Sequence, residues 1–119
     1  MIFQAKTEAK FFLLNWAPQV PKIERAGLDG SDRRVVAAEG VKSPSGLAVN
    51  PSAGELFWCD SDLGTVESVK YDGTRRRVLL RAESRMVQRP MGIVYFQGNV
   101  YWLDASFAGG SISRYKSHY

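Results

Sequence analysis

The chain has 119 residues, at the lower edge of the ~100 to 200 residues usual for one soluble domain, so it has room for one modest core. Hydrophobic residues at 45% and charged residues at 24% give the balance of a globular chain and exclude a disordered tail. Sixteen Lys and Arg against twelve Asp and Glu leave +4, too mild to argue for nucleic acid; a single Cys excludes an internal disulfide, and a single His, His118, removes most metal sites and most His-based catalysis. No apolar run approaches the ~18 to 20 residues of a bilayer span. Residues 1–8 show no basic segment leading into an apolar stretch, so no secretory signal is visible there.

In chain order, the first elements are the apolar run Phe12-Leu13-Leu14-Asn15 and, after a Pro-containing break, Pro21-Lys22-Ile23-Glu24-Arg25, followed by the turn Asp29-Gly30-Ser31. Next, Ser43-Pro44-Ser45-Gly46-Leu47-Ala48-Val49 opens a short apolar run that reads as a strand buried on both faces. The aromatic and branched run Glu55–Cys59 suits a packed, pleated surface. Apolar and polar residues alternate over Thr65–Lys70, Asp72-Gly73 marks a tight turn, and Arg77-Val78-Leu79-Leu80 follows as a further strand. Pro90-Met91-Gly92 then opens Gly92-Ile93-Val94-Tyr95-Phe96, again expected to be buried on both faces, and Asn99–Leu103 repeats the aromatic pattern. No helical period of 3.6 is convincing anywhere.

These elements repeat. Phe12-Leu13-Leu14-Asn15, Phe57-Trp58-Cys59-Asp60 and Tyr101-Trp102-Leu103-Asp104 end 45 and 44 residues apart. Pro44-Ser45-Gly46 recurs as Pro90-Met91-Gly92 at 46, and both Ile23-Glu24 with Val66-Glu67 and Asp29-Gly30 with Asp72-Gly73 recur at 43. Four short antiparallel strands repeated every ~40 to 50 residues predict the blade of a β-propeller.

The aromatic-Trp-x-Asp tetrad, with no Gly-His at the start of the unit, resembles the Tyr-Trp-Thr-Asp repeat, the low-density lipoprotein receptor class B repeat. The likeness runs from about Gln4 to Lys116 and includes Asn15-Trp16-Ala17 before Pro21, similar to an Asp-Trp-Gly loop of such receptors. The first tetrad departs from the pattern by lacking Trp and by carrying Asn15 for the carboxylate, and Cys59 and Leu103 replace the usual Thr; both are expected in buried strand positions. The resemblance implies an all-β, partial six-bladed propeller. About two and two-thirds blades are expected over 1–119: a partial blade over 1–39, a complete one over 40–82 and a partial one over 83–119. A ring of six such units needs about 260 residues, so the ring does not close within this chain, and the expectation is a fragment of a larger protein.

The recurrent residues Asn15, Phe57, Trp58, Asp60, Tyr101, Trp102 and Asp104 are expected to be structural, the carboxylates holding backbone amides and the rings filling the core. Asp60-Ser61-Asp62 lacks the Gly and distal Glu of a calcium loop, so no metal is assigned. Gly109-Gly110-Ser111 lacks the Lys and helix of a phosphate cradle. No nucleophile–base pair or Gly-x-Ser-x-Gly elbow is present, so no catalysis and no cofactor are expected. Arg33-Arg34 and Arg75-Arg76-Arg77 read as solvated charge on an outer strand, and Cys59 as a small buried hydrophobe. Function in such folds sits on loops at one end, here Ser61 to Gly64, Ala105 to Gly110, Ala38 to Ser43 and Arg81 to Arg89. The candidate ligand-binding residues are Ser43, Ser45, Ser61, Asp62, Arg89, Ser106 and Phe107, where Ser43 and Ser45 match the Trp and Asn of the family's Trp-Pro-Asn-Gly motif.

The resemblance further implies a non-catalytic extracellular module of a lipoprotein receptor-related protein, of endocytic or Wnt co-receptor type. Its partners would be protein ligands (lipoproteins, secreted signalling or matrix proteins), the remaining blades and adjacent EGF-like modules of the parent chain, with no nucleic acid, and with a membrane only through the parent's transmembrane segment. The alternative is a nidogen-like matrix propeller binding a matrix protein. A propeller hydrolase would instead show inward-facing His and Asp at strand starts.

Overall fold

A computed structural model of the chain describes residues 2–6, 10–15, 20–82, 87–105 and 111–116. Among them are eleven strands: β1 (Ile2–Lys6), β2 (Lys10–Asn15), β3 (Lys22–Gly27), β4 (Arg34–Ala37), β5 (Pro44–Asn50), β6 (Glu55–Asp60), β7 (Thr65–Lys70), β8 (Arg77–Leu80), β9 (Pro90–Phe96), β10 (Asn99–Asp104) and β11 (Ser111–Lys116). Each strand pairs antiparallel with the next in sequence, giving sheets β1-β2-β3-β4, β5-β6-β7-β8 and β9-β10-β11. The all-β expectation and the open, unclosed arrangement hold.

The local chemistry explains the meander. At the β7–β8 turn the Asp72 carboxylate accepts hydrogen bonds from Thr74 N (2.9 Å) and Thr74 Oγ1 (2.6 Å), and Gly73 takes a φ of +88°, close to the +86° of its counterpart Gly30. Asp29 and Ser31 make the same pair of bonds 43 residues earlier. Both turns then place a non-glycine residue, Asp32 or Arg75, at positive φ. Such a conformation costs a β-carbon about 1 kcal/mol or more and persists because the surrounding strands fix it.

The innermost strands β1, β5 and β9 lie side by side, and two apolar seams join the three sheets. Phe12, Leu14, Ile23, Val36 and Ala37 of the first sheet meet Leu47, Leu56, Trp58 and Val69 of the second, with Val41 of the connection between them. Ala48, Phe57, Cys59 and Val66, on the opposite face of the second sheet, meet Ile93, Val100 and Trp102 of the third and Val87 of the segment leading into it. Because side chains alternate along a strand, β6 sends Trp58 into one seam and Phe57 and Cys59 into the other. Gly46 allows the close approach of β5 to β9: a β-carbon there would stand 3.1 Å from Ile93 Cγ2 and 3.2 Å from Gly92 Cα.

Three expectations change. The sheet over residues 2–37 has four strands, where the tail of a blade was expected: β1 pairs with β2 but lacks the Pro-x-Gly opening that marks β5 and β9, so the pattern gives it no sign. Val94 and Phe96 are exposed, so β9 is buried on one face only, and Leu103 is exposed where a buried position was expected. The reason is common to all three residues. The face of the second sheet that holds Ala48 and Cys59 is covered by the third sheet, whereas the corresponding face of the third sheet has no neighbour among the described residues.

Candidate functional site

The tetrad carboxylates Asp60 and Asp104 organise one end of the second and third sheets. Asp60, fully buried, accepts hydrogen bonds from the backbone N–H groups of Lys42 (2.9 Å), Ser43 (3.1 Å), Asp62 (3.1 Å) and Leu63 (3.0 Å). One side chain therefore clamps the loop entering β5 to the loop leaving β6. Asp104 does the same for Gln88 N (2.7 Å) and Arg89 N (3.1 Å) ahead of β9. Backbone bonds complete each clamp, from Ser61 N to Ser43 O and from Ala105 N to Arg89 O, both 3.0 Å. Gly64, at φ +66°, presses against Gln88 O and Ala82, which brings the β6–β7 loop against the connection between sheets two and three.

Ser43, Ser61, Asp62 and Arg89 thus share one end of the assembly, with Asp62 and Arg89 exposed and Ser43 and Ser61 half-buried. The exposed Lys42 and Met91 flank them and were missed from sequence; the 46-residue step from Ser45 to Met91 was the available signal. Ser45 is differently placed. A hydroxyl has one proton, and that of Ser45 goes to Pro90 O at 2.8 Å, a bond between the second and third sheets. Its oxygen also lies 3.3 Å from Cys59 Sγ. Ser45 is a seam residue, and its donor is not available to a ligand. Ser106, Phe107, Trp16, Gly109, Gly110 and His118 lie outside the described residues.

Asn15 replaces the carboxylate with an amide and makes a different bond, donating from Nδ2 to Glu24 Oε1 at 2.7 Å. Glu24 and Glu67, 43 residues apart, head a second recurrent network. Glu24 accepts from Arg33 at 2.8 Å, and Glu67 from Arg76 Nε at 3.1 Å and from Thr65 Oγ1 at 3.2 Å. Burial raises the Glu24 carboxyl, but the bonds from Arg33 and Asn15 outweigh it and hold the group below its ordinary value. Arg76 also donates to Glu39 O at 2.6 Å and lies 5.1 Å over the Trp58 ring, a cation–π contact. Arg76 is therefore half-buried and ties its turn to β7 instead of joining a solvated face, while Arg33, which pairs with Glu24, and Arg34, Arg75 and Arg77 are exposed as expected. The repeated Glu–Arg spacing was legible; its pairing was not, because spacing along the chain does not say which charges face each other across β3–β4 and β7–β8.

Burial pushes the Cys59 thiol up to about 11, against a partly offsetting hydrogen bond with Ser45. Thiols react as thiolates. Cys59 is accordingly expected to resist alkylation at pH 8 in the folded chain and to label rapidly in denaturant; labelling at the rate of a free exposed thiol under native conditions would contradict its burial.

Radially repeated antiparallel sheets, inner strands side by side and loops clamped at one end by a recurrent carboxylate, are the blades of an open β-propeller. The comparisons agree. The profile of the low-density lipoprotein receptor repeat class B matches residues 10–51. The chain is 34% identical over 93 residues to the vitellogenin receptor Yl of Drosophila melanogaster and 36% identical over 93 residues to human low-density lipoprotein receptor-related protein 5, in each case over 78% of its own length. It covers only 4% and 6% of those relatives. Among solved structures, a chain of a nidogen/laminin complex superposes with a TM-score of 0.78 at 31% identity, over 91% of this chain and 40% of that one. A luciferin-regenerating enzyme superposes at 0.74 with 17% identity, over 97% of this chain and 41% of that one, a likeness of fold alone. The chain belongs to the low-density lipoprotein receptor class B repeat family.

Proposed function

We propose that the chain is a non-catalytic part of an extracellular, protein-binding propeller of lipoprotein receptor-related type, acting in ligand capture or release by an endocytic receptor or Wnt co-receptor. The blades divide near residues 40 and 83, and ligands are met by Ser43, Ser61, Asp62 and Arg89 together with Lys42 and Met91. The observation that carries this reading is the clamp itself. Asp60 and Asp104 fix the backbone of loops whose outer side chains stay exposed, the arrangement of a rigid scaffold presenting variable loops. The receptor identity of the matched relatives supports a role without chemistry. The nidogen/laminin likeness supports a second reading, a matrix propeller.

The two readings separate in one experiment. The purified chain is immobilised and presented with lipoprotein particles or with laminin, alongside Arg89→Glu and Asp62→Arg variants. Lipoprotein binding weakened at least about tenfold by Arg89→Glu, a loss of the size usual for a contact residue, is the expected result. Laminin binding with the same sensitivity selects the matrix reading, and binding to either that ignores both variants places the site elsewhere.

A further inference from the structure

β8 is the outer edge strand of the second sheet, and both faces of that sheet are covered by its neighbours, so Arg75 and Arg77 are exposed at its rim and not for want of a neighbouring blade. Two cavities flank this edge and share Arg77. One, of about 460 Å³, has Arg76, Arg77, Arg81, Thr65 and Glu67 in its walls; the other, of about 270 Å³, has Arg75, Arg77, Lys70 and Glu55. Arg76 is paired with Glu67, but neither Arg75 nor Arg77 has an ion pair among the described residues. Ser68 Oγ takes the Nε proton of Arg77 at 3.3 Å. That bond holds the guanidinium in place and leaves the N–H groups of its terminal nitrogens for other acceptors.

Charge on an edge strand discourages pairing with other chains, a reason that applies to the outer edges of the first and second sheets alike. The two edges nevertheless differ. Forty-three residues before Lys70, Arg75 and Arg81 stand Gly27, Asp32 and Ala38, and the first edge keeps its arginines paired, Arg33 with Glu24 and Arg34 with Asp32, both at 2.8 Å. Arg75 takes a φ of +57° and Asp32 one of +53°, in a region where Asp is several-fold enriched and Arg is not. The second edge therefore holds an arginine where the backbone favours the residue that would neutralise Arg77. We propose that this rim binds a sulfated polysaccharide, the chain crossing β8 so that sulfate groups in both cavities share Arg77. Guanidinium forks suit oxyanions of this kind. A single small anion would occupy one cavity and leave the cations of the other unmatched, and a flat anionic membrane cannot enter cavities on both sides of one strand. Neither cavity has an aromatic ring among its lining residues, the platform on which the bases of single-stranded nucleic acid stack. The site is separate from the loops assigned above to protein ligands, since Asp62 and Arg89 line neither cavity.

Calorimetric titration of the full 119-residue chain with a heparin oligosaccharide, at about 0.15 M salt, tests the proposal. Binding is expected, with an affinity that falls as salt rises, because a linear polyanion releases counterions when it is bound. Arg75→Asp rebuilds the ion pair of the first sheet against Arg77; it should weaken binding at least about tenfold and lower the log–log salt slope by about one for each cation withdrawn. Its thermal midpoint should not fall, because Asp suits positive φ better than Arg does. Arg77→Gln, at an exposed position, repeats the test without touching the residue at positive φ. Arg34→Gln removes the same charge from the first edge and should leave the affinity within about twofold of the parent's, the scale of an ordinary surface charge. Absence of heparin binding overturns the proposal, as do equal losses from Arg34→Gln and Arg77→Gln, which are attraction to net charge alone. Displacement of heparin by inorganic sulfate at the same sulfate concentration identifies a small-anion pocket and overturns it too. Tighter binding of single-stranded DNA, with the same sensitivity to Arg75→Asp, makes the rim a nucleic-acid surface instead.

Discussion

Replacing Asp60 with Ala is expected to destabilise the chain by about 3 to 5 kcal/mol, the sum of several backbone amides left without acceptors at ~1 kcal/mol or more each. The carboxylate accepts from four N–H groups in two different loops and is itself fully buried. Asp60→Asn keeps one carbonyl oxygen and turns the other position into a donor facing donors, so its loss should fall between that of Ala and zero. Urea unfolding at fixed protein concentration measures both. An Ala variant within about 0.5 kcal/mol of the parent, the range of an ordinary surface change, would show that water replaces the clamp at no cost. The loops that carry the proposed ligand contacts should loosen in the same variant, because Asp60 sets their backbone.

Trp58→Ala is expected to cost about 3 to 5 kcal/mol, as deletion of a fully buried aromatic ring does. Trp58 is 0% exposed, fills the seam between the first and second sheets, and lies beneath the Arg76 guanidinium. Part of the loss belongs to the pair: Arg76→Ala removes the ring contact and leaves the buried Glu67 carboxylate without its ion pair. A double-mutant cycle over Trp58 and Arg76 should therefore return a coupling of about 1 kcal/mol. Additive effects would mean that Arg76 acts only through Glu67 and Glu39. Trp58→Leu offers a graded comparison, because the first sheet carries Leu13 at the equivalent place and keeps it 3% exposed. That variant should lose clearly less than the Ala form.

Much of the fold was legible because a propeller writes its period into the chain. The Pro-x-Gly openings, the aromatic tetrads and the Asp-Gly turns recur at 43 to 46 residues, and β5 to β8 fall where those signals put them. β1 carries none of these marks and is recognised only by its pairing with β2. Burial was read correctly for Trp58, Trp102 and Cys59. It was misread for Val94 and Leu103, because hydrophobic pattern reports what a residue would bury against, whether or not that neighbour is present. The site was legible as a set of loops and less so as residues. Ser45 looked like a surface hydroxyl until its bond to Pro90 O tied it to the seam, and Met91, which follows Pro90 as Ser45 follows Pro44, reads in sequence as plain apolar filler. Arg76 shows the same limit from the charged side: three consecutive arginines look alike in sequence, but only the middle one turns inward to Glu67 and Trp58.

The alternation along β6 carries one more implication. Since Trp58 belongs to the seam with the first sheet while Phe57 and Cys59 belong to the seam with the third, the segment copied in the sequence and the segment that packs are out of phase by half a blade. A cut at either blade boundary passes through a connecting loop and yet splits a hydrophobic core in two. Gain or loss of one repeat in such a lineage would preserve the ring's strand pattern while forcing two new half-cores to meet, so changes on facing surfaces of adjacent repeats are tied to each other more closely than changes within a single repeat.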